Sequence, residues 1–141
     1  MQRYFRLGPE VAGGLGRKTV VEGDGYPPNV TRLHYEFYGW LGDDLLRAFP
    51  CYVVTERLRA AIEESSPTGC SFDQVLVTTT TEFRALFPDV QLPRFSWLRV
   101  VGQPGVDDFG MGEDPPRLIV SEQVLEVLKR FSIANCEVEE V

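Results

Sequence analysis

Residues 52–75 read YVVTERLRAAIEESSPTGCSFDQV, and residues 118–141 read LIVSEQVLEVLKRFSIANCEVEEV. The two stretches align without a gap at an offset of 66, with identities at Val54/Val120, Glu56/Glu122, Ser66/Ser132, Cys70/Cys136 and Val75/Val141. Five matches carry little by themselves, but the order of physical roles carries more. Each stretch opens on a β-branched run. Thr55 and Ser121 then stand where an N-cap hydroxyl accepts from the free N–H groups of a first helical turn. Glu56 and Glu122 follow, where the helix dipole favours a carboxylate. Leu58, Ala61 and Ile62 match Val124, Val127 and Leu128, the i, i+3, i+4 spacing of one helix face. Gly69 and Asn135 suit a left-handed helix stop, and each precedes Cys-x-(Phe/Val), a second strand. The pattern predicts two strand–helix–strand units, with helices over 56–65 and 122–131. Internal duplication and simple convergence both account for it.

Outward from these units, residues 3–7 (RYFRL) read as an opening strand, closed by Gly8, Pro9, Gly13, Gly14 and Gly16. Lys18–Glu22 is a short β-rich run ended by the turn chemistry of GDGYPPN. Thr31–Trp40 (TRLHYEFYGW) alternates as a strand: Leu33, Tyr35 and Phe37 take one face, and Arg32, His34, Glu36, Tyr38 and Trp40 the other. Asp43 or Asp44 caps a short turn carrying Leu45, Leu46 and Phe49 and ended by Pro50, with a strand there as the alternative. Thr79-x-x-Glu82 fits a capping box before Phe83, Leu86 and Phe87, a short helix near 80–87. Arg94–Val101 reads as a strand, and residues 102–116 (GQPGVDDFGMGEDPP) as a long loop. The expectation is a single α+β domain over residues 1–141. Its centre is a mostly antiparallel or mixed sheet of about six to eight strands, with two main helices and one short one.

The chain has 141 residues, 43% hydrophobic and 25% charged, enough apolar material to build a core. Acidic residues outnumber basic ones 21 to 14, a formal net charge of -7. That surface repels phosphate, which argues against nucleic acid and against an anionic membrane as partners. The opening residues lack the apolar stretch of a signal peptide. Three cysteines, Cys51, Cys70 and Cys136, are an odd count that points to reduced thiols, with a Cys70–Cys136 disulfide as the alternative. A cytoplasmic protein is expected.

Most catalytic chemistries find no footing. His34 is the only histidine, so triads, histidine-based metal sites and imidazole relays all hang on one mid-strand residue. A Cys51–His34 nucleophile–base pair is conceivable, but a buried structural cysteine is the default. Gly13-Gly14-Leu15-Gly16-Arg17-Lys18-Thr19 lacks the spacing of a phosphate loop, and Thr19 occupies the third glycine of a dinucleotide fingerprint. No Cys-x-x-Cys pair exists to hold zinc. Asp107, Asp108, Glu113 and Asp114 offer oxygen ligands for a hard cation, without EF-hand spacing. No cofactor and no metal are expected.

Two acidic pairs stand out. Trp40 precedes Asp43-Asp44, and Trp97 precedes Asp107-Asp108 across a longer insert; each pair then leads to a strand and a Thr/Ser-Glu helix start. Adjacent aspartates repel and need donors. They act either as caps for neighbouring backbone N–H groups or as an acidic, aromatic-flanked patch for a basic protein, charge steering the encounter and aromatics anchoring it.

Gly42-Asp43-Asp44-Leu45-Leu46, Phe49-Pro50-Cys51-Tyr52-Val53-Val54-Thr55-Glu56-Arg57-Leu58, and Asp107-Asp108-Phe109-Gly110 followed by Arg117–Glu122 together resemble small acidic bacterial proteins of formerly unknown function, some grouped as immunity proteins of polymorphic toxin systems. The resemblance covers residues 36–75 and 105–141, and its most specific element is the strand ending in Ser-Glu that leads into an amphipathic helix. It implies stoichiometric neutralisation of a toxin, without catalysis. The charge fits a basic toxin domain, and the partner surface expected is Trp40, Asp43, Asp44, Asp107, Asp108, Glu113 and Asp114. Two other readings remain: a small carboxylate-dependent enzyme with 102–116 as a lid, and a self-associating domain pairing through an edge strand at 136–141. Oligomeric state is left open.

Overall fold

The computed structural model describes residues 2–113 and 115–141. In chain order the elements are β1 (Tyr4–Gly8), β2 (Gly13–Leu15), β3 (Val20–Glu22), β4 (Asn29–Phe37), β5 (Leu45–Ala48), β6 (Cys51–Thr55), α1 (Glu56–Ser65), β7 (Cys70–Asp73), β8 (Val75–Thr79), α2 (Thr81–Leu86), β9 (Phe95–Val100), β10 (Phe109–Met111), β11 (Leu118–Ser121), α3 (Glu122–Leu128) and β12 (Glu137–Glu140). The fold is α+β. In place of one central sheet there are three four-stranded ones, ordered β5-β6-β9-β7, β10-β11-β1-β12, and β2-β4-β3 with β8 added to β4. All pairings are antiparallel except β4 with β8. Physically, the twelve strands among the described residues, divided among three sheets, offer more apolar faces for mutual burial than one broad sheet does.

The first two sheets share one plan. In each, a hairpin (β5-β6 or β10-β11) leads into a helix and an outer strand (β7 or β12), and a strand from elsewhere fills the gap between. That middle strand is β9 in one sheet and β1 in the other. Its registers coincide: Thr55 faces Phe95 as Ser121 faces Tyr4, and Asp73 faces Trp97 as Glu139 faces Arg6. The counterpart of Trp97 is therefore Arg6, and the correspondence does not reach back to the two tryptophans. The offset of 66 could not expose the match of β9 with β1, because these strands lie outside both repeated stretches.

Two cores result. Leu45, Tyr52, Val54 and Leu98 of one sheet meet Phe5, Leu7, Leu118 and Val120 of the other, with Leu58 and Ile62 of α1 and Val124, Leu125 and Leu128 of α3 packed among them. On the far side of β6, Val53, Cys51, Leu46 and Trp97 pack against Leu33, Tyr35 and Phe37 of β4 and against Phe83 of α2. Every residue of β6 is buried, as expected of a strand covered on both faces.

Local boundaries differ in instructive ways. The short helix is capped by Thr80, whose hydroxyl accepts from the Phe83 amide at 3.0 Å, so the cap lies one residue beyond Thr79. Helix α1 ends on Ser66 in the left-handed region (φ 51), and Gly69 (φ +87) makes a later turn. Asn135 has no positive φ; α3 ends at Leu128, three residues short of expectation, with Lys129 as a right-handed C-cap. All three cysteines are free thiols. Among the described residues, no helix is long and apolar enough to cross a membrane.

Leu98 (1% exposed) sits in the first core, whereas Leu41 is 74% exposed. Leu98→Ala should lower the unfolding free energy by about 2–5 kcal/mol in denaturant titration. Leu41→Ala should change it by less than about 0.5 kcal/mol.

Candidate functional site

The aspartate pairs decide what this molecule presents and what it conceals. Asp44, just before β5, is 2% exposed, and Asp43 is fully buried. The Asp44 carboxylate receives four donors. Thr55 Oγ1 donates at 2.5 Å, Arg57 Nε and Nη2 at 2.8 and 2.7 Å, and the Ser132 amide at 2.9 Å. Thr55 is the N-cap of α1, and its hydroxyl oxygen accepts from the Leu58 amide. Its proton is thus free only for the aspartate, and the carboxylate fixes the orientation of the cap. Burial pushes the Asp44 carboxyl up, but the Arg57 guanidinium, the Thr55 hydroxyl and the Ser132 amide outweigh it and hold the group below the usual carboxylate range.

Asp108 repeats the arrangement before β10. Ser121 Oγ donates to it at 2.7 Å while accepting from the Val124 amide, so the α3 cap is held the same way. The Thr68 amide and hydroxyl donate to its other oxygen at 2.9 and 3.3 Å. Burial again raises the carboxyl, and these donors together hold it below the ordinary range. The two aspartates reach across the molecule in opposite directions. Asp44 of one unit grips the segment after α3, and Asp108 of the other grips the segment after α1. Backbone bonds complete each junction: the Asp44 amide to Ser132 O at 2.8 Å, and the Phe109 amide to Thr68 O at 3.1 Å.

The outer members of the pairs diverge. Asp43 also crosses between units, accepting from the Asn135 amide at 2.8 Å and Asn135 Nδ2 at 3.1 Å. Asp107 turns its own loop by accepting from the Gln103 amide at 2.7 Å. Trp40 Nε1 donates to Asp43 O at 2.9 Å, leaving the indole half-buried. Glu113 is exposed, and Asp114 lies outside the described residues.

The partner surface expected from sequence therefore needs correction. Asp43 and Asp44 are interior, and the Asp108 carboxylate is occupied by internal donors, because a desolvated charge next to another charge is tolerable only when fully hydrogen-bonded. Trp40, Asp107 and Glu113 keep contact with solvent. The first half of the loop expected over 102–116 is held by the Val101 and Gly102 amides on Gly69 O, the Asp107 amide on Gln103 O and Tyr4 Oη on Val106 O.

Sequence reasoning missed Glu10. This 5%-exposed carboxylate accepts from the Leu41 amide at 2.6 Å and the Asp43 amide at 3.2 Å, organising the turn before β5. Burial pushes its carboxyl up, against the pull of those amides. A lone glutamate after Gly-Pro gives no local sign of such a partner 31 residues away. Cys51 and His34 are also enclosed. Cys51 is buried, its thiol pushed up to about 12. His34 has Nδ1 on the Lys18 amide at 3.2 Å and Nε2 on Thr78 Oγ1 at 2.7 Å, which requires the proton on Nε2. Among the described residues, no three histidine, cysteine, aspartate or glutamate side chains cluster as metal ligands. No protein-family model matches the chain, and comparison with curated proteins finds no significant match.

Asp44→Ala should cost about 3 kcal/mol, since it strands the Ser132 amide and frees the Thr55 cap. The pH dependence follows from the sign of the shift. A carboxyl held low in the folded state contributes fully above its unfolded value of about 3.9, and that contribution is lost as pH falls through the folded value. Glu10 acts in the opposite sense, its penalty easing on protonation. Asp44→Asn and Asp108→Asn should each flatten the acid limb of a stability–pH curve below about pH 4, read by thermal unfolding.

Proposed function

We propose that the chain is a non-catalytic binding domain of the immunity type, which neutralises a basic toxin domain by forming a stoichiometric complex with it in the cytoplasm. The observation that carries this reading is the internal use of the groups that chemistry needs. Asp43, Asp44, Asp108, Glu10, His34 and Cys51 are each enclosed or hydrogen-bonded within the fold. A group so engaged can hold a shape but is badly placed to meet a substrate.

Charge supports the same reading from the outside. The formal net charge is -7, and Glu63, Glu64, Glu113, Glu137, Glu139 and Glu140 are exposed. A field of one sign accelerates encounter with a basic partner, while a partly exposed aromatic supplies short-range contact. Trp40, clamped by Asp43 and followed by the 74%-exposed Leu41, is such an anchor. In this role the buried aspartates act indirectly, by fixing the turn that carries Trp40.

Co-purification from the native host, followed by rescue of cells expressing the captured protein, tests the reading. Neutralisation at one-to-one stoichiometry is expected, and failure of the wild-type chain to protect would reject it. Leu41→Lys should weaken the complex at least about tenfold through faster dissociation. Paired Glu63→Lys and Glu64→Lys should slow association at low salt and flatten its salt dependence.

A further inference from the structure

We propose that the outer edge of β12 receives an extended, basic segment of the protein partner, which adds as a fifth strand to the sheet β10-β11-β1-β12. The inference rests on the protein-binding reading above and specifies where the partner adds and what chemistry it brings. β12 pairs only with β1 among the described strands. The Val141 amide donates to Tyr4 O at 3.0 Å, and the same register sets Arg6 opposite Glu139 and Gly8 opposite Glu137. Antiparallel alternation then turns the backbone of residues 137, 139 and 141 toward β1, and the N–H and C=O of Val138 and Glu140 outward. An outward row of this kind is what β-augmentation uses.

Charge selects the occupant. All four residues of β12 are exposed, and its three polar ones are glutamates. Arg6 faces Glu139 at 3.4 Å, and Arg3 is shared between Glu140 at 2.8 Å and Glu122 at 2.7 Å. Two arginines thus face four carboxylates once Glu137 is included, so the edge stays negative. A second copy of β12 would set glutamates beside glutamates, which is destabilising between neighbouring strands, whereas lysines or arginines opposite them are favourable. Val138 is paired with Leu7, a member of the first core. An apolar residue opposite Val138 extends that core, and basic residues opposite Glu137 and Glu139 complete the pairing. The partner segment is therefore an alternating basic–apolar strand.

A synthetic decapeptide alternating Lys and Val is the probe, titrated by NMR against the full chain. Val138→Pro removes one outward N–H and leaves the ladder to β1 intact. Glu137→Lys reverses a side-chain charge without touching the backbone, and so serves if the proline variant fails to fold. Amide shifts confined to residues 137–141 and their β1 neighbours, binding at least about tenfold weaker in either variant, and no binding of a Glu/Val decapeptide would support the proposal. Absence of binding, binding by both variants as tight as by the wild type, shifts elsewhere, or a wild-type dimer that Val138→Pro dissolves would overturn it. In the rescue assay, protection by the wild type that both variants retain overturns the edge and leaves the binding reading intact. Failure of the wild type to protect rejects the binding reading, while the peptide titration still decides the edge.

Discussion

The fold turns on a three-part chain that occurs twice: a sequestered carboxylate, an N-cap hydroxyl and the first turn of a helix. Asp44 holds Thr55, which caps α1, and Asp108 holds Ser121, which caps α3. The remaining oxygen of each aspartate takes an amide from the opposite unit, Ser132 or Thr68. One ionised side chain thereby sets a helix start and an inter-sheet junction together. Removing such a charge from water is costly, and the cost is offset only when most lone pairs meet donors; Asp44 has four. The Gly69 turn lets the second junction close. A Cβ there would collide with Phe109 O, and its positive φ is one that side chains rarely adopt.

The same economy explains why so acidic a chain hides several of its acids. Asp43, Asp44 and Glu10 crowd one turn, yet each is answered by backbone amides or a guanidinium. These groups build the platform that Trp40 occupies, while the glutamates of α1 and β12 carry charge to solvent. Buried, hydrogen-bonded carboxylates and solvent-facing ones are thus two separate sets that sequence alone presents as one.

The two similar units are used unequally. Strand β6 is buried on both faces, because β4, β8 and α2 cover the far side of its sheet. The other sheet has β12 as a fully exposed outer strand. The difference arises from connectivity. After β7 the chain continues through Gln74 into β8, which joins β4 in parallel and builds the third sheet. After α3, residues 137–140 form β12 at the outer edge of the other sheet, so among the described residues one unit lies in the interior and its counterpart at the rim.

Much of this organisation was legible in the chain because it is written in local chemistry. Thr55-Glu56 and Ser121-Glu122, with apolar residues spaced at three and four, specify two capped helices wherever the chain lies, since capping and amphipathicity depend on neighbours within one turn. Alternation in residues 31–37 likewise specifies a strand with Leu33, Tyr35 and Phe37 inward. The partners of Asp43, Asp44, Asp108 and Glu10, the match of β1 with β9, and the division into three sheets were not legible. Each depends on groups tens of residues apart, whose meeting is set by the packing of whole layers. The residue types of the chain by themselves determined that the aspartates needed donors; only the tertiary structure decided that those donors are the helix cap of the same unit and a loop of the opposite one, because the burial that makes a carboxylate choose internal partners over water does not exist until the layers have closed around it.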